Sequence, residues 1–417
     1  MRPIVIVGGG LAGLTCAEYL RRADRRVLIL EKDDHLGGRV WSDYVEGFVL
    51  DHGFQVFLDS YPEAKTCLDY NSLKLSKFSP GALLQTQKGF RRVVDALRDP
   101  LHTIDTIRSG AFSLSDMWRV LRLRIEVWTL QQQSNLLIQG QTTREFLAER
   151  SFSERSIEKF FKPFFSGVFL ENDLHTPADM FAFIFHMFSI GSTCLPEQGM
   201  RAIPLQLAGR LHDESIRLNT MVSCVEREKV TLSDGHIVDA EAVVLATDYT
   251  TTANLLGLNT AEQPWRSTMT FYYATLAPPT KEAILVLNGM GHGVINNISV
   301  PTNVCASYSS TSEALVSVSV VGVESDDEVK LQQKINNELK IWFGESVTEW
   351  RFLKSYRIPH SLPVRFGARV RQEFDEVAEN LGIQLAGDYL INPSINGAMA
   401  SGREAAQKLL TNGGVIA

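Results

Sequence analysis

The chain has 417 residues, of which 44% are hydrophobic, 21% charged and 9% aromatic. These proportions are those of an ordinary globular protein and exclude a disordered, collagen-like or disulfide-stapled chain. A net charge of −7, from 41 basic and 48 acidic residues, argues against nucleic acid as a partner, because phosphate binding needs a basic footprint.

Length predicts about two to three domains. The five cysteines are scattered without a CxxC pair, so neither a metal site nor a disulfide framework is expected, and a reducing cytoplasm is the simplest setting. The most apolar stretch, Met180 to Ile190, is too short to span a bilayer. The N-terminal apolar run is glycine-rich and shows no signal-peptide cleavage pattern.

In chain order, residues 3–7 (PIVIV) predict a buried strand. Gly8, Gly10 and Gly13 then satisfy GxGxxG. Leu14, Ala17 and Leu20 follow at helical spacing, and Arg26 to Leu30 predicts a second buried strand ending in Glu31. This is a βαβ dinucleotide-binding unit. The first glycine permits a tight turn, the second lets backbone approach a pyrophosphate, and the third lets the helix pack on the strand. Amides at the helix start (Leu11, Ala12) face the phosphate charge. Glu31 suits ribose hydroxyls and repels a 2′-phosphate. Gly37 and Gly38 let backbone pass near a dinucleotide, and Arg39 suits its phosphates.

The run from Glu31 and Lys32 to Gly38 and Arg39 resembles the superfamily of flavin-containing amine oxidases, protoporphyrinogen oxidases and phytoene desaturases. There an acid and a Gly-Gly-Arg element follow the fingerprint and hold FAD. Phe48 to Phe57 (FVLDHGFQVF) resembles the segment that passes the flavin ring, placing Gly53 and Phe54 beside it; a hairpin turning at a glycine gives the same pattern.

Residues 77–126 carry nine basic against five acidic residues, with Trp118 among them. A basic helix with tryptophan suits a membrane surface, so peripheral membrane contact is a candidate role for residues 77–138. A solvated face on an ordinary domain helix gives the same pattern. Phe160 to Phe169 and Met180 to Ile190 are dense in phenylalanine, as core or as the wall of an apolar tunnel.

Leu195 to Leu211 resembles the family motif returning the chain to the FAD domain. Ile216 to Val225 predicts one strand, in which Val222 matches the valine that meets the adenine in relatives. Thr231 to Asp239 predicts a hairpin at Asp234-Gly235. Ala242 to Thr247 predicts a buried strand, with Thr247 at the adenosine–pyrophosphate end by resemblance. Strands are expected over Ser267–Leu276 and, half-buried, over Ala314–Val323; an amphipathic helix is expected over Val329–Phe343. His360 is a candidate pocket residue, though a loop histidine is the plainer reading.

The C-terminal block, Leu385-Ala386-Gly387-Asp388-Tyr389 then Pro393 to Gly402, resembles plant-type carotene desaturases. By that resemblance Gly387, Asp388, Ile395, Asn396 and Ala398 meet the flavin and its ribityl chain. Asn396 stands where the pattern carries an acid.

The resemblance implies an α/β chain: a Rossmann-like FAD-binding domain of glutathione-reductase type (1–76, 195–258, 351–417), interleaved with an α+β substrate domain (77–194, 259–350). It implies an FAD-dependent oxidoreductase moving a hydride from a substrate C–H to flavin N5. A hydrophobic substrate, carotenoid, isoprenoid or tetrapyrrole-like, is expected, with dioxygen or a quinone as acceptor. Amine oxidation is disfavoured, because Ser267–Leu276 has no lysine, and Ser394 and Asn396 replace aromatics. A non-redox isomerase or carrier that keeps FAD is a third reading. No catalytic side chain is singled out, since the cofactor supplies the chemistry.

Overall fold

A computed structural model describes residues 2–132, 140–258, 265–322 and 327–412. Residues 133–138, Val323 and the start of the expected 259–350 segment therefore lie outside the described residues.

Ile4–Val7 is buried along its whole length because strands pair on both its edges. Ile4 stands opposite Val27 of Val27–Leu30 and opposite Ala242 of Ala242–Leu245. Ile216–Arg217 and Gln384–Leu385 complete a five-stranded parallel sheet. A parallel sheet needs cover on both faces. Leu11–Arg22 and Ile395–Asn412 pack into one apolar layer, with Leu14, Ala17, Met399 and Ala406 buried. Val370, Phe374 and Ala378 of Ala368–Leu381 cover the other face.

The segment 216–225 is not one strand. Ile216–Arg217 joins the parallel sheet, whereas Val222–Glu226 pairs antiparallel with Lys229–Leu232 in another. The break has a local cause. Asn219 sits at φ +52°, and the amides of Asn219 and Thr220 donate to the carbonyls of Asp33 and Glu31, turning the chain across the end of the second strand. The hairpin at Asp234-Gly235 forms between Lys229–Leu232 and Ile237–Asp239, with Gly235 at φ +87°.

A second, seven-stranded sheet runs in the order Arg351–Pro363, Trp265–Thr275, Ala314–Val321, Asn297–Ser299, Leu285–Asn288, Gly81–Thr86, Gly89–Val94. Arg351–Pro363, which the sequence places with the cofactor segments, bonds along Trp265–Thr275. Leu331, Ile335 and Leu339 of Glu328–Phe343 cover one face, over Phe271, Val316 and Val318. On the other face, Leu84 and Leu287 meet the phenylalanines of Lys162–Phe169 and Ala178–Ile190. Ala314–Val321 departs from its half-buried expectation: its alternating serines are buried as deeply as its valines.

Ser42–Val45 and Phe48–Asp51 form a hairpin that turns at Glu46-Gly47, so Gly53 follows the hairpin rather than closing it. Asp51 is buried and accepts from Ser42 Oγ, from Met200 N (3.0 Å) and from Tyr308 OH (2.9 Å). Desolvation outweighs these donors and pushes its carboxyl up to about 6. Folding thus favours the neutral acid. The stability this gives is present below the ordinary carboxylate range and is lost as pH rises through about 6. Relative to Asp51→Asn, the wild type should lose about 2 kcal/mol between pH 4 and 7. Chemical denaturation of both proteins across that range checks it; parallel pH profiles would show that Asp51 folds ionised.

Candidate active site

The ends of the parallel strands open on one cavity of about 1550 Å³, which continues to the phenylalanine helices. At its first end stand Gly8, Gly10, Leu11 and Ala12. Gly8 has φ +108°, and a Cβ there would lie 2.7 Å from the Ala246 carbonyl oxygen. A Cβ on Gly10 would meet nothing within 4 Å. Helix Leu11–Arg22 starts at Gly10 with no side-chain cap, so its first amides are left for an anion. Gly13 does not line the cavity: a Cβ there would lie 2.1 Å from the Gly8 carbonyl oxygen, which makes it a packing glycine.

Glu31 lines the cavity and is buried. Its Oε2 accepts from Gly9 N at 2.6 Å and its Oε1 from Asp33 N at 2.9 Å, so the carboxylate both shapes the glycine turn and edges the groove. Lys32, Val222 and Thr247 also line the groove; Thr247 Oγ1 lies 2.7 Å from Thr252 Oγ1.

Further along, Gly38, Arg39, Gly53, Phe54, Gly387, Asp388, Ile395 and Ala398 line the wall. Arg39 joins the chain's two ends, donating to Asp388 Oδ1 at 2.7 Å and to the Ser361 carbonyl at 2.9 Å. Burial opposes its charge, but Asp388 beside it holds the guanidinium above its ordinary pKa. His360 lines the same wall, with its ring stacked on Trp265 at 5.0 Å. Asn396 is turned elsewhere. Its Oδ1 accepts from Glu63 N at 3.0 Å and it does not line the cavity, so the position that departs from the desaturase pattern does a bracing job.

Several lining residues have roles that no sequence pattern signals. Gln55 donates to the carbonyls of Arg39 and His52, bracing the Gly-Gly-Arg turn. Ser394 Oγ accepts from Gly397 N at 2.9 Å and so caps the C-terminal helix. Asp248 caps helix Tyr249–Leu255 through Thr251 N. Each is a short-range polar residue whose role depends on a distant partner or on a helix boundary. Thr268 and Asn297 of the mixed sheet also face the cavity.

The residues present fit FAD. Open space at Gly10, an uncapped helix N-terminus, a buried acid at the strand end and the Arg39–Asp388 bridge border one cavity of about 1550 Å³.

The family model for flavin containing amine oxidoreductases matches residues 11–410. Curated relatives match over short stretches. Coproporphyrinogen III oxidase of Propionibacterium freudenreichii is 35% identical over 78 residues, 19% of this chain and 15% of the relative. The 15-cis-phytoene desaturase of Narcissus pseudonarcissus is 39% identical over 64 residues, 15% of this chain and 11% of the relative. The aligned stretches thus span well under a fifth of those relatives. A solved oxidoreductase from Methanosarcina mazei shares the fold with a TM-score of 0.73 at 17% identity, covering 98% of this chain and 100% of that one. With a match that spans nearly its whole length, the chain belongs to the flavin-containing amine oxidoreductase family.

Proposed function

We propose that the protein is an FAD-dependent desaturase or dehydrogenase of a hydrophobic substrate, carotenoid, isoprenoid or tetrapyrrole-like, with dioxygen or a quinone as acceptor. The observation that carries this reading is the continuity of one cavity from the glycine groove to a chamber walled by Phe112, Phe160, Phe164, Phe165 and Phe188. Bound FAD supplies the hydride-accepting chemistry. The chain's share is to hold a substrate C–H against the cofactor and to exclude water, which the apolar chamber favours. In this reading residues 1–76, 195–258 and the chain beyond the 351–363 strand serve the cofactor. The mixed sheet and phenylalanine helices serve the substrate. Anaerobic mixing tests it: flavin colour should bleach with a polyene or porphyrinogen and persist with putrescine or spermidine. Bleaching only by amines overturns it. Product formation without any acceptor points instead to an isomerase.

The same reading puts the chamber's mouth on a lipid surface. Leu114, Trp118, Ile125 and Trp128 form a helical stripe more than half exposed, and Leu97, Leu101 and Ile104 of the preceding segment are also more than half exposed. Arg108 and Arg122 lie among them on the surface. No helix among the described residues is long and apolar enough to cross a membrane. An apolar stripe with basic flanks suits adsorption to anionic lipid. The Trp118→Ser, Trp128→Ser double variant should lose most co-sedimentation with phosphatidylglycerol vesicles while keeping its flavin; undiminished co-sedimentation removes the membrane role.

A further inference from the structure

The phenylalanine chamber opens to the surface between Leu97, Leu114 and Trp118, which line the cavity and are each more than 60% exposed. Charge stands at this mouth. Lys77, Asp95, Arg98 and Arg124 line the cavity too. The wall around them is apolar: Met117 and Leu121 precede Arg124 at helical spacing on the cavity side of Leu114–Gln132.

The ion pairs there do not balance. Arg124 Nη1 lies 2.7 Å from Asp95 Oδ2, and Lys77 Nζ lies 3.3 Å from Asp59 Oδ2. Arg98 has no acid of its own: its Nε stands 3.6 Å from the Asp95 carboxylate, both of whose oxygens accept from Arg124. Two acids thus serve three cations. Neutral groups fix the Arg98 guanidinium in place. Its Nη1 donates to the Gly191 carbonyl at 2.5 Å and its Nη2 to the Ser189 carbonyl at 3.0 Å, at the C-terminal end of helix Ala178–Ile190. The negative end of that helix offsets part of the charge. Arginine carries more N–H donors than these two bonds use, and the side chain is 28% exposed, so a ligand can reach it. A cation largely withdrawn from water is costly unless an anion meets it. A guanidinium with N–H groups to spare suits a carboxylate.

We infer that Arg98 is a substrate subsite for a carboxylate. The substrate is a hydrocarbon that carries an acid at one end. The acid stays at the mouth on the Arg98 donors, and the apolar body runs past Met117 and Leu121 into the phenylalanine chamber. This rests on the hydrophobic-substrate reading above and, within it, selects acid-bearing substrates over neutral carotenes.

The test titrates the FAD-loaded protein by calorimetry at about pH 8, where a carboxylic acid is ionised. The ligands are farnesoic acid and methyl farnesoate, the same chain with its acid masked. The acid should bind about tenfold more tightly. Arg98→Met should abolish that preference and leave the affinity for the ester unchanged, which reports an intact chamber. Arg98→Lys keeps the charge and should retain part of the preference. Equal affinities in the wild type overturn the subsite and leave the hydrophobic reading standing. Binding of neither compound overturns both. A preference that survives Arg98→Met overturns the assignment to Arg98, and an Arg98→Met protein that binds neither compound marks a structural arginine and overturns it as well. If the wild type binds acid and ester equally and Arg98→Met loses co-sedimentation with phosphatidylglycerol vesicles, the arginine serves a lipid headgroup and the subsite is overturned.

Discussion

Gly10→Leu is expected to give a folded, colourless protein. The backbone at Gly10 (φ −72°, ψ 178°) suits any residue, and a Cβ there enters open space, so the change costs the apoprotein little. On the course proposed for the cofactor, that open space admits the pyrophosphate. Steric displacement worth about 3 kcal/mol lowers FAD affinity roughly 100-fold. Gly13→Leu should fail differently, because its Cβ would press on the Gly8 carbonyl at 2.1 Å and on Ala246 Cβ at 3.2 Å. The helix then has to leave the strand, at about 3 kcal/mol or more. Flavin absorbance per protein, beside thermal melting of the apoproteins, separates the two. A yellow Gly10→Leu protein would show that the cofactor does not pass Gly10.

The second large effect is expected at Arg39. Arg39→Met removes the counter-ion of Asp388, which is 4% exposed, and leaves the Ser361 carbonyl without its donor. An uncompensated buried charge costs several kcal/mol. The Arg39 side chain is itself 35% exposed, so solvent reaches the pair and about 2 kcal/mol is the expected loss. Adding Asp388→Asn should recover most of that stability, because the two changes remove one interaction between them. FAD affinity should not recover, since both groups line the groove. A double variant no more stable than Arg39→Met would mean that the arginine stabilises through Ser361 instead.

The cofactor half was legible because its signals are short and local. Fingerprint, acid and Gly-Gly-Arg lie within 39 residues, and each demands a particular residue type for a backbone reason. Gly13 belongs to the same fingerprint, and its reason is packing: a Cβ there would lie 2.1 Å from the Gly8 carbonyl oxygen. Asn396 shows why helix position alone is insufficient: it says which turn a side chain occupies, not which way it points, and this side chain accepts from Glu63 N. The mixed sheet was harder. Alternation in Ala314–Val321 reports that two faces differ in polarity, and a polar face is ordinarily a wet one. Here both faces are buried, and only the strands that pair with Asn297–Ser299 and Trp265–Thr275 reveal that the serines look inward. Those pairings join residues far apart in sequence, which no local pattern encodes.

The bridge between Arg39 and Asp388 also sets a timetable. Leu11–Arg22 is closed by the last helix: a Cβ on Gly402 would lie 2.2 Å from the Ala12 carbonyl oxygen. The central strand Ile4–Val7 therefore leaves the ribosome well before the residues that complete its surroundings. Contacts of such sequence separation form slowly and expose intermediates. A nascent chain short of residue 388 lacks one wall of the groove, so flavin capture waits until that residue has emerged. Cofactor supply then governs how many newly made chains mature and how many are lost to aggregation or proteolysis.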